Sequence, residues 1–239
     1  MDWFLSNSGM VLERAGQHLL LALVPMVLGL VLSIPLAQLA RMNATLRSII
    51  LTASSLLYTI PSLALFIILP PLLGTRILDP LNVIVALTLY AIALLVRAAL
   101  DAFDSVDEDL RQAAVAMGYK PWLRFLQVDL PLSLPVMFAG LRVVSVSNIS
   151  LVSVAALLGV GNLGMLFTDG LQRTFVTEVV VGIVAILVLA LLMDGVLVLL
   201  ERLLTPWTRA AKGTADSSPA ADSGRNAAAG LPATAEAAG

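Results

Sequence analysis

The chain has 239 residues, 59% of them hydrophobic and only 13% charged, with a net charge of −2 and a mean hydropathy of +0.96. Soluble domains carry roughly 25% charged residues, so a soluble fold is starved of polar surface here, and the charge balance offers nucleic acid no footprint. With no cysteine and a single histidine, His18, neither a disulfide framework nor a thiolate or histidine metal site is available.

What remains is an all-α integral membrane protein. A spanning helix needs about 20 mainly apolar residues. Five stretches qualify: Leu19–Ala40, Ser48–Leu69, Leu78–Val96, Leu134–Leu158 and Val179–Leu204. Residues 1–18 begin with an acid and lack a basic region, so they read as an extracytoplasmic segment and not as a cleaved signal peptide. The second span carries Tyr58 near its middle, just before Pro61, a residue that kinks helices. The third carries Tyr90. Either ring has a face suited to a quaternary ammonium, and either also reads as a core aromatic.

Between the third and fourth spans lies a polar stretch, residues 98–133, which serves as the central segment. Its acids Asp107, Glu108 and Asp109 precede Leu110, Ala113, Ala114 and Met117, which predicts a helix with negative charge at its N-terminal dipole. Gly118 ends that helix, and Pro121 suits the first turn of a second one. A short helix–turn–helix along the membrane surface follows.

The fourth span contains VVSVSNISLVSV, with Ser145 and Asn148 as pathway candidates among hydroxyls that equally serve helix packing. Arg142 lies roughly 13 Å above the cytoplasmic start of this span, and Asp194 roughly 15 Å above the cytoplasmic end of the fifth. Opposite charges at matched depth on consecutive antiparallel spans predict a structural ion pair, Arg142–Asp194. Between these spans, Gly159-Val160-Gly161-Asn162-Leu163-Gly164 fits G-x-G-x-x-G letter for letter. A dinucleotide site needs a strand–turn–helix context that an apolar span does not give, so a glycine-broken re-entrant loop is the better reading. Residues 210–239 are rich in Ala, Gly, Ser, Pro and Thr and read as a disordered tail.

Five spans put the termini on opposite sides. Putting Arg41–Arg47, the central segment and the tail on one side collects ten basic residues, Arg41, Arg47, Arg97, Arg111, Lys120, Arg124, Arg202, Arg209, Lys212 and Arg225, against Arg14, Arg76 and Arg173 on the other. The positive-inside rule places the N-terminus outside and the tail in the cytoplasm.

The cytoplasmic segment has a further pattern. Gln112-Ala113-Ala114, three residues, Gly118, nine residues, then Val128, Asp129, Leu130 and Pro131 resembles the EAA signature of bacterial ABC-importer permeases. That signature is Glu-Ala-Ala, three residues, Gly, nine residues, Ile, any residue, Leu, Pro. The spacing matches throughout, with Gln112 for Glu and Val128 for Ile; Gln112 stays polar but loses the charge for any ionic contact made there in relatives.

The resemblance implies a type I ABC importer (MetI-like) transmembrane domain over residues 19–209. Gln112, Ala113, Ala114, Gly118, Leu130 and Pro131 would form its coupling site for the ATPase subunit. It also implies two ATPase subunits, an extracytoplasmic substrate-binding protein and a second permease subunit, identical or not. The chain has no G-x-x-x-x-G-K-[ST] loop, so it is read as a non-catalytic subunit without cofactor, powered by its partner. The run LLGVGNLGMLFTDGLQRTFVTE, with LLTPWTR after the last span, is similar to the osmoprotectant branch, which imports glycine betaine, choline and carnitine. Methionine-type permeases share the five-span layout and a glycine-rich loop at the same place, so an amino-acid importer stays open. A stand-alone secondary transporter would favour internal repeats and midplane acids, and a membrane enzyme would need a cluster of His, Cys, Asp or Glu. The sequence offers no internal repeat, few acids in the spans and no such cluster.

Overall fold

The computed structural model describes residues 2–207, so the expected tail, 210–239, lies outside the described residues, as do Arg209, Lys212 and Arg225. Among the described residues the chain is helical, without strands. Helix α1, Asp2–Ala40, is one continuous helix of 39 residues, about 58 Å long at 1.5 Å per residue. It begins well before the apolar stretch at Leu19, and it outruns the roughly 30 Å hydrocarbon core.

The second span is not a single helix. It is split into α2, Ala44–Thr59, and α3, Ser62–Leu73, which meet at 100°. Pro61 cannot donate to a helical ladder, and it forces the residue before it out of the α region; Ile60 is accordingly extended. The kink expected at Pro61 within Ser48–Leu69 is thus a full break between two helices. The Ile60 carbonyl, left outside the regular ladder, accepts a hydrogen bond from the Tyr90 hydroxyl at 2.5 Å. Among the described residues, four helices are thus long and apolar enough to cross a membrane, or five spans if the bent pair counts as one.

Helix α4, Pro80–Asp104, is the centre of the bundle. It starts with Asp79 capping the Leu81 amide at 2.9 Å and Pro80 in the first turn. Fourteen of its residues are buried, against none in α2. Small residues let its neighbours close on it: a Cβ on Gly29 of α1 would collide with Ala91, and one on Gly140 with Ala98. Without a hydrophobic force between helices in lipid, such close approach is the main source of packing energy.

After α4 come α5, Glu108–Ala116, then α6, Pro121–Arg124, a π-helical turn, Phe125–Asp129, and α7, Leu130–Ala155. The last three run without a break into a short 3₁₀ turn ending at Leu158. The predicted second surface helix is therefore the first part of the fourth span, because nothing after Pro121 interrupts the helical ladder. Gly159 then adopts φ +85° and turns the chain into α8, Met165–Gln172, and α9, Val176–Leu204.

Candidate coupling site and membrane interior

Helix α5 forms where the sequence places it. The Asp107 carboxylate caps the Asp109 amide at 2.9 Å, and Glu108 and Asp109 sit in the first turn. Gly118 stops the helix with φ +84°, a conformation that costs other residues roughly 1–2 kcal/mol. Its amide donates to the Val115 carbonyl at 2.9 Å, and the Tyr119 amide donates to the Ala114 carbonyl at 3.1 Å.

Burial divides the motif. Ala114 is 1% exposed and seats α5 on the body of the protein, where a larger side chain has no room. Gln112, Ala113 and Gly118 face solvent. Around them stand apolar side chains with no covering: Leu110, Val115, Met117 (71% exposed) and Trp122 (68% exposed). Clustered exposed apolar side chains on an otherwise polar segment form a knob, the kind of surface that protein partners cover. Leu130 and Pro131 lie apart from it, half-buried in the first turn of α7.

Beneath the knob is a charged cluster that the motif alone does not reveal. Arg111 donates from Nε to Asp129 at 3.1 Å, from Nη1 to Glu108 at 3.1 Å, and from Nη2 to the Phe103 carbonyl. Asp129, 1% exposed, also has the Arg124 Nε at 3.7 Å. Asp104 at the end of α4 pairs with Arg47 at 2.8 Å and Arg41 at 3.5 Å. Arg41 lies over the Phe103 ring at 5.7 Å, and Phe103 meets Phe125 edge-on at 5.4 Å. Burial, and next the nearby Arg111 charge, draw the Arg41 guanidinium below its ordinary value. Asp129 occupies the signature's unrestricted position, so spacing gave no reason to single it out. A carboxylate directly preceding an apolar span was the available signal.

In the spans, Arg142 donates to Asp194 from Nε at 2.6 Å and from Nη2 at 2.8 Å. Tyr58, 44% exposed, meets buried Tyr90 edge-on, with centroids 5.7 Å apart and planes at 87°. Ser145 and Asn148 belong to a different seam. Both are buried, and the Asn148 amide donates to the Ala22 carbonyl of α1 at 3.2 Å. His18 adds a second polar tie there, its Nε2 at 2.9 Å from the Ile149 carbonyl. Glu178 is buried in the first turn of α9 and accepts from Arg173 Nη2 at 3.0 Å. Neither His18 nor Glu178 stood out in the sequence.

Among the described residues, a bundle of apolar helices long enough to span a membrane, joined by a short helix with exposed apolar side chains, is the architecture of a membrane transport subunit. The chain belongs to the family described as "Binding-protein-dependent transport system inner membrane component", whose model matches residues 29–206. It is 34% identical to the osmoprotectant import permease protein OsmW of Salmonella typhimurium, over 86% of this chain and 97% of that one. It is 30% identical to the glycine betaine/carnitine/choline transport system permease protein OpuCB of Bacillus subtilis, over 86% and 94%. In fold it resembles an inward-facing structure of the MetNI methionine ABC transporter, with a TM-score of 0.72 at 21% identity over 82% of this chain and 96% of that one.

Proposed function

We propose that this chain is the transmembrane permease subunit of an ATP-driven importer of osmoprotectants, quaternary amines of the glycine betaine, choline and carnitine type. The observation that carries the reading is the docking face of α5, with its full signature spacing, in a chain whose relatives in sequence are named for osmoprotectant import. The likeness to the methionine transporter concerns the fold alone.

In this reading the N-terminus is extracytoplasmic, as the distribution of basic residues favours. Two ATPase subunits engage Gln112, Ala113, Gly118 and the surrounding knob from the cytoplasm, while an external binding protein delivers the solute. A second permease subunit completes the pathway. ATP closes the ATPase pair, α5 is displaced, and the spans rock between inward-open and outward-open states. Tyr58, partly exposed beside the broken second span, is the side chain best placed to offer a π face to a cation. Leu130 and Pro131 fix the start of the span that α5 must move. ATP-dependent uptake by the reconstituted complex, across a panel of quaternary amines and amino acids, tests the proposal.

A further inference from the structure

Packing alone gives α5 a weak hold on the membrane helices. Ala114 is its one buried residue, and its covalent link to α7 passes through the turn at Gly118. A push on α5 transmitted only by that turn would be absorbed by bending it. Arg111 supplies a stiffer path. It points inward, its side chain 11% exposed, while Leu110, Val115 and Met117 of the same segment face out.

Its three acceptors lie on three elements. The Phe103 carbonyl belongs to the last turn of α4, where carbonyls have no helical partner. Glu108 is in the first turn of α5 itself. Asp129 closes the π-helical turn at the head of α7, with its side chain 2% exposed. A π-helical turn inserts a residue into the ladder, and such turns recur at functional sites. Here it directs a carboxylate into the protein, where the charge is tolerable only with its cations in place.

We infer that Arg111 is the positioning residue of energy coupling: held to Asp129 and the Phe103 carbonyl, it makes α5 move as one body with the cytoplasmic ends of α7 and α4. This rests on the importer reading. Without the tie, the ATPase subunits still dock and still hydrolyse ATP, but their stroke is spent in the Gly118 turn.

The test uses the full complex in proteoliposomes, with its ATPase subunits and binding protein, and measures glycine betaine taken up per ATP hydrolysed. R111Q and D129N each lower that ratio about tenfold while the ATPase subunits still co-purify. R111Q/D129N loses no more than the worse single variant, because the two side chains form one linkage. Losses that multiply, or an unchanged ratio in both single variants, overturn the inference. Where the neutral variants do not assemble, R111K carries the test. A lysine keeps the charge but loses the planar fork that reaches several acceptors, so the ratio falls severalfold, and a wild-type ratio overturns the inference. A wild-type complex that takes up none of the quaternary amines and amino acids of the panel with ATP contradicts the importer reading, and the tie with it. Wild-type uptake with unaltered variants contradicts the tie alone.

Discussion

Arg142 of α7 and Asp194 of α9 join two spans through a pair of hydrogen bonds, 2.6 and 2.8 Å long, from residues 52 positions apart. The guanidinium fork meets the carboxylate with two donors, the arrangement that makes arginine pairs directional as well as strong. Neither charge is fully enclosed by this chain, the side chains being 41% and 31% exposed. In a membrane that makes each partner's presence the condition for the other's insertion.

Neutralising one partner therefore harms more than removing both. Arg142→Ala or Asp194→Ala lowers the amount of protein recovered from the membrane severalfold, because a lone charge remains within a span. Exchanging the residues, with Arg142→Asp and Asp194→Arg together, restores the level lost in either single variant. Quantitative blotting of membrane fractions measures both, and no recovery in the exchange speaks against pairing.

The docking helix answers to shape. Gly118 has φ +84° and open space where a Cβ would stand, so substitutions there act through the backbone and not through collision. Gly118→Val abolishes uptake, whereas Gly118→Asn, which enters this region at lower cost, retains part of it. Ala114→Trp abolishes uptake by unseating α5, while membrane insertion stays intact. Uptake assays paired with membrane fractionation separate these effects.

Spans are easily read in a sequence because hydrocarbon imposes a length and a composition, and α4 and α9 stand close to where hydropathy puts them. Pro61 announced a kink, although not a 100° break satisfied by a tyrosine from another helix. Asymmetric contacts are harder to foresee. Gly29 and Gly140 look like ordinary small residues until Ala91 and Ala98 are set against them. Residues after Pro121 read as a separate surface helix because Trp122, Leu123, Phe125 and Leu126 stand beside Arg124 and Gln127, yet they continue into α7, since mixed polarity does not mark the end of a ladder. Asp129 stayed hidden because its partner, Arg111, lies 18 residues away across a turn. Periodicity and motif spacing report on neighbours along the chain, and such a pair is set by tertiary packing.

Asn148 is committed to the seam between α7 and α1 through its bond to the Ala22 carbonyl. Asn148→Ala lowers the stability of the purified protein by about 0.6–1.7 kcal/mol, the range of interhelical hydrogen bonds in membrane proteins. The order of preference among solutes stays as in the wild type. Equilibrium unfolding in mixed micelles and competition uptake measure the two; a reordered preference would assign Asn148 to the pathway.

Tyr58 and Tyr90 are expected to part company. Tyr58→Phe keeps a π face and supports uptake of quaternary amines, whereas Tyr58→Ala raises their KM, with a loss of about 0.5–2 kcal/mol in apparent binding. Tyr90→Phe removes the donor to Ile60, so it lowers thermal stability and leaves KM in place. Equal KM for Tyr58→Ala and wild type removes Tyr58 from the pathway.

The central claim is that this chain forms a pathway driven by a partner's ATP hydrolysis. The direct measurement is accumulation of labelled solute by proteoliposomes holding the chain, its ATPase subunits and its binding protein, with glycine betaine, choline, carnitine, proline and methionine compared. Uptake that requires both ATP and the ATPase subunits, with quaternary amines preferred, is the predicted result. Accumulation that proceeds without the ATPase subunits would contradict it.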